Sequence, residues 1–100
     1  MHPISMKSKR EIVLPVLKSG GKVRYSRAAC LAGIQAVIVL GLRLSATGKV
    51  EDAWLATRPI GMGLDEEAMK GARKAIFYPA KRDGKSVAIN VNAEAIFRLY

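Results

Sequence analysis

The segment SVAINVNAEAIFRL, Ser86 to Leu99, alternates without a break. Val87, Ile89, Val91, Ala93, Ala95, Phe97 and Leu99 fall on one face of an extended chain, and Ala88, Asn90, Asn92, Glu94, Ile96 and Arg98 fall on the other. Side chains along a strand point to opposite faces in turn, so the spacing predicts one long strand with a packed face and a wet face. Such a strand needs a sheet beside it and a second layer over its apolar side.

The neighbours are upstream. AVIVLGLRL, from Ala36, is rich in β-branched residues and places Ile38, Leu40, Leu42 and Leu44 on one face. SATGK follows as a short loop, and VEDAWLAT reads as the returning strand of an antiparallel hairpin. Val50 is in phase with Asp52 and Trp54, whereas the apolar set continues at Ala53 and Leu55. A bulge near Asp52 reconciles the two phases and turns Trp54 outward.

Between hairpin and last strand lies LDEEAMKGARKAIFYPAKRDGK, Leu64 to Lys85. Asp65 is the expected N-cap, Glu66 and Glu67 sit where the helix dipole favours acids, and Arg73 and Lys74 sit where it favours bases. Ala68, Ala72, Ala75 and Ile76 lie on one narrow face of mostly small side chains, which lets a helix approach a sheet closely. Pro79 pushes Tyr78 out of helical geometry and closes the element, and RDGK makes a turn. Ser26 caps a shorter lead helix through about Ala32, with Ala29, Cys30 and Ile34 inward and Gly33 at its end. The resulting order predicts a two-layer α+β domain over residues 23–100, a three-stranded antiparallel sheet covered by a helix and preceded by a short one.

The chain carries 17 Lys and Arg against 8 Asp and Glu. Lys7, Lys9, Arg10, Lys18, Lys22, Arg24 and Arg27 face only Glu11 as an acid in the first 27 residues, so the basicity belongs mainly to the front. Residues 1–22, broken by Pro3, Pro15 and Gly20-Gly21, read as a basic, flexible arm. IVLPVL is too short for a signal-peptide core, and the apolar run Leu31 to Leu44 is too short to span a bilayer, so the chain reads as soluble as it stands.

Chemistry finds no foothold. Gly84-Lys85-Ser86 ends like a phosphate loop, but the position five residues earlier is Pro79 rather than glycine. Gly61 and Gly63 begin a dinucleotide fingerprint whose third glycine would fall at Glu66. His2 is the only histidine, Cys30 the only cysteine, and Asp65, Glu66 and Glu67 have nothing to desolvate them. No catalytic residue, metal site or cofactor is expected.

Taken together, Tyr25-Ser26, Ala28-Ala29 and Ala32-Gly33-Ile34-Gln35, then Gly48-Lys49-Val50-Glu51-Asp52, Leu64-Asp65-Glu66-Glu67-Ala68, Ala72-Arg73-Lys74 with Phe77 and Pro79-Ala80, Asp83-Gly84-Lys85 and Phe97-Arg98-Leu99 form one collinear set. In these residues the run from Tyr25 to Tyr100 resembles the carboxy-terminal domain of the TonB family of energy transducers. Two positions depart from the family pattern: Ala75 stands where a tryptophan is usual, and Tyr25-Ser26 stands where Tyr-Pro is usual.

The resemblance implies a non-enzymatic, periplasmic module. It would grip an extended segment of an outer-membrane TonB-dependent receptor by strand addition, and reach inner-membrane motor proteins only through an anchor that this sequence lacks. The exposed edge of the last strand is then the expected grip, with Ala88, Asn90, Asn92 and Glu94 in contact. The resemblance also implicates the residues just ahead of Tyr25, namely Lys22, Val23 and Arg24, whose charges favour an acidic segment. Two other readings compete: a nucleic-acid or anionic-surface binder using the arm, ranked lower because no aromatics interleave its bases, and a homodimer paired through the same strand edge.

Overall fold

The computed structural model describes residues 12–99. His2, Lys7, Lys9, Arg10 and Glu11, and with them the start of the expected arm, lie outside the described residues, as does Tyr100. The elements, in chain order, are β1 (Ile12–Val13), β2 (Val16–Ser19), α1 (Arg27–Leu31), β3 (Ala36–Leu44), β4 (Val50–Leu55), α2 (Leu64–Arg73), β5 (Ile76–Tyr78), β6 (Ala80–Arg82), β7 (Lys85–Val87) and β8 (Ile89–Phe97).

The central layer is a three-stranded antiparallel sheet in the order β4-β3-β8. β3 and β8 pair in unbroken register from Ala36 opposite Phe97 to Leu44 opposite Ile89. β3 and β4 pair from Leu40 opposite Leu55, and the register slips between Arg43 opposite Asp52 and Leu44 opposite Val50, which makes Glu51 the extra residue of a bulge. The bulge therefore falls one residue before Asp52, and it does the job the sequence requires of it: Val50 and Ala53 both turn toward the core.

Ile38, Leu40, Leu42 and Leu44 of β3, Ala53 of β4 and Ala95 and Phe97 of β8 are buried under α2, which contributes Leu64, Ala68 and Ala72. Each large side chain in this layer stabilises the fold by about 1.5–3 kcal/mol. On the outer face Trp54 lies over Gly41, its cross-strand neighbour, and any Cβ at Gly41 would meet the indole ring. Trp54 is outward, as its phase predicts, and 40 % exposed.

Both helices depart in detail from the sequence reading. The Ser26 hydroxyl accepts from the Ala29 N–H at 3.2 Å as the expected cap of α1, and the Ile34 and Gly33 amides close its other end on the Ala29 and Cys30 carbonyls. Cys30, however, is exposed, because adjacent positions on a helix are about 100° apart and one short turn cannot bury both Ala29 and Cys30. In α2 the position before the helix is Gly63, while Asp65 is the second residue inside its first turn, 8 % exposed. Its carboxylate accepts backward from the Ile60 N–H at 3.0 Å and the Gly61 N–H at 2.7 Å, so it caps the preceding turn as well as facing the helix dipole.

The helix ends at Arg73 rather than near Tyr78. Ile76, Phe77 and Tyr78 are β-formers, and β5 pairs antiparallel with β2. Ile76 is consequently 39 % exposed rather than part of the helical face. β1 likewise pairs with β6, and β6 with β7 across a tight turn at Asp83 and Gly84, both with positive φ. The described part of the arm, residues 12–19, is thus strand rather than loose lead-in, interrupted at Pro15, which has no amide to donate. The long last strand is divided at Ala88 into β7 and β8, and Leu99, past the last pair, is exposed with its N–H on the Gln35 side-chain oxygen.

Gly48 joins this ribbon to the central sheet. Its carbonyl accepts from the Phe77 N–H at 2.9 Å, its φ is +89°, and a Cβ there would fall on the Phe77 carbonyl. Gly48→Ala is expected to cost more than the ~1–2 kcal/mol of a left-handed alanine, because the backbones must also separate. An unchanged thermal melt for this variant would show that the junction is not close-packed.

Candidate functional site

The hydrogen-bond phase of the sheet decides which backbone groups are free. The Ala56 N–H donates to the Val39 carbonyl at 2.9 Å, so odd-numbered residues of β3 turn their backbone groups toward β4 and even-numbered ones toward β8. With Leu40 opposite Ala93 and Leu42 opposite Val91, the odd-numbered residues of β8 are spent on β3. The N–H and C=O groups of Asn90, Asn92, Glu94 and Ile96 therefore face away from β3, along an edge with no strand partner among the described residues. An unpaired row of this kind is a template for another extended chain.

The seven expected contact residues divide into three groups. Asn90, Asn92 and Glu94 lie on this edge with exposed side chains. The side chain of Asn90 is not free, since its oxygen accepts from Arg43 Nη1 at 3.1 Å on the facing strand. Ala88 is exposed at the break between β7 and β8, outside the ladder. Lys22 and Arg24 are exposed and share a groove with Glu67, Lys70, Gly71 and Lys74, four cations to one carboxylate. Lys70 is 3.8 Å from Glu67, which leaves the positive charge in excess.

Val23 is half-buried and belongs elsewhere. It lines an apolar cavity of about 210 Å³ with Leu17, Gly21, Leu40, Leu42, Ala72, Ala75, Phe77, Ala93, Glu94 and Ala95. Ala75, at the departure from the family pattern, is 5 % exposed on its wall. Ala93, Glu94 and Ala95 of β8 are among its lining residues, so it adjoins the edge strand.

Sequence reasoning missed Ile96 and the cavity. Ile96 was recoverable by carrying the phase of Asn90, Asn92 and Glu94 two residues further. The cavity was not recoverable, because Leu17 and Phe77 reach it only through the pairing of β2 with β5.

Beneath β8 the site is held by Tyr25 and Phe97, whose rings meet edge to face with centroids 5.4 Å apart. The Tyr25 hydroxyl donates to the Ile34 carbonyl at 2.6 Å, tying the chain ahead of α1 to the start of β3. Desolvation, and secondarily the electrostatic effect of the neighbouring Cys30, push the Tyr25 phenol above its ordinary value, so it stays a neutral donor through the physiological range. Among the described residues no cluster of His, Cys, Asp and Glu could hold a metal ion, and no helix is long and apolar enough to cross a membrane.

Residues 21–99 match the family model described as Gram-negative bacterial TonB protein C-terminal. Among solved structures the fold is similar to the solution NMR structure of the Pseudomonas aeruginosa TonB CTD, with a TM-score of 0.67 at 20 % identity over 85 % of this chain and 86 % of that one. No curated protein matches the chain.

Proposed function

Because the chain belongs to the family of Gram-negative bacterial TonB protein C-terminal domains, a family of non-enzymatic binding domains of the periplasm, we propose that it captures an extended segment of an outer-membrane transporter along the open edge of β8. The observation that carries this reading is the row of unpaired backbone groups at Asn90, Asn92, Glu94 and Ile96, held rigid by nine matched pairs with β3. Main-chain hydrogen bonds supply the affinity, and the alternate side chains set register. The groove of Lys22, Arg24, Lys70 and Lys74 supports an acidic residue flanking the captured segment. In a longer parent with an inner-membrane anchor, the same grip couples motor proteins to transport.

The test is a backbone amide NMR titration with extended peptides from candidate transporters at two salt concentrations. The expected result is a set of shifts concentrated from Ile89 to Phe97 and largely insensitive to salt. Silence there, with salt-sensitive shifts from Lys18 to Arg24 when nucleic acid or anionic lipid is added, would move the function to the basic front of the chain.

A further inference from the structure

The cavity beside the edge strand has walls, a floor and a neighbour that together define what it takes. Its walls are apolar side chains of four separate segments: Leu17 from β2, Val23 ahead of α1, Ala72 and Ala75 from α2 and its end, and Phe77 from β5. Leu40, Leu42, Ala93 and Ala95 of the sheet form its floor. An apolar cavity of roughly 150 Å³ accepts a benzene ring, so about 210 Å³ has room for a phenyl or an indole.

Resting on the strand-addition reading, we propose that this cavity is a specificity pocket for one large apolar side chain, aromatic in the first place, of the captured segment. The alternation of the sheet supports it. A strand added to β8 turns every second side chain to the same face as Ala93 and Ala95, and that face is the inner one. A residue added beside Ala93 or Ala95 therefore projects toward the space bounded by Val23, Ala75 and Phe77. Its neighbours on either side project outward with Asn92 and Glu94, where a polar residue is tolerated. Alanine at positions 72, 75, 93 and 95 makes the space, and nothing in the chain's own register fills it. The ligand chemistry so defined is an extended peptide with alternating polarity and one bulky apolar residue in the inward phase.

The probes are short capped peptides of alternating threonine and valine, in each of which one valine is replaced by phenylalanine at a different step. They are tested against the protein and against Ala75→Phe, which fills the pocket from inside. The protein should prefer phenylalanine at one register by about tenfold over the all-valine peptide, the gain expected from burying the larger ring. Ala75→Phe should lose that preference and no longer distinguish the phenylalanine peptide from the all-valine one. Independently of whether the variant folds, the ring protons of the preferred peptide should show NOEs to the Val23 and Ala75 methyl groups. Equal binding of all the peptides, with amide shifts still along Asn90 to Ile96, overturns the pocket and leaves strand addition standing. No amide shift along that edge with any peptide overturns both.

Discussion

Asn92→Pro is expected to abolish peptide capture at β8 while the domain stays folded. The Asn92 N–H points away from β3, so proline there removes no hydrogen bond of the central sheet. It does remove the donor at the middle of the open edge, and its ring occupies the line along which an added strand must approach. Losing that donor and leaving the ligand's carbonyl unmatched costs about 1–3 kcal/mol before the ring's steric block is counted, which is roughly five- to a hundredfold or more in affinity. The matched controls are Val91→Pro and Ala93→Pro, whose amides are spent on β3; these are expected to unfold the domain. Peptide titration and thermal melting of the three variants check the pattern. Were all three to melt alike, the hydrogen-bond phase assigned to β8 would be wrong, and with it the identity of the open edge.

The second large effect falls on stability. Phe97 is 2 % exposed, among the largest fully buried side chains, and its ring is met edge-on by Tyr25. Phe97→Ala removes a buried ring and leaves a void bounded by β3 and α1, at a cost of about 3–5 kcal/mol. Against the ~5–15 kcal/mol total of an ordinary domain, that is about a fifth of the whole or more. Urea unfolding followed by circular dichroism measures it directly. A loss under about 1 kcal/mol would mean that Tyr25 collapses into the space and that this end of the core is plastic. Because Phe97 pairs with Ala36 at the end of the ladder, the variant should also loosen Ile96 before it loosens Asn90.

The central sheet was legible because its strands alternate strongly enough to be read singly. Ile38 to Leu44 and Ile89 to Phe97 show period two without help, and the phase break at Asp52 announced a bulge that the structure sets at Glu51. The ribbon was not legible. IFY continues a helical spacing as readily as it begins a strand, and what decides the matter is β2, almost sixty residues earlier. Residues 12–19 carried the complementary problem: their charge and prolines suggest an arm, and only pairing with β5 and β6 makes them strands. The candidate site divides along the same line. Asn90, Asn92 and Glu94 follow from local alternation, whereas the surroundings of Val23 and Ala75 depend on segments far apart in sequence.

The placement of Trp54 over Gly41 has a practical side. It is the only tryptophan, it belongs to the strand at the far margin of the sheet from β8, and it faces away from the cavity. Its fluorescence will report the loss of the β3–β4 pairing on denaturation, yet stay nearly constant when a ligand settles on the opposite margin. The molecule thus carries a built-in optical gauge of folding that is blind to binding, and an indole placed in the ligand would supply the missing second channel.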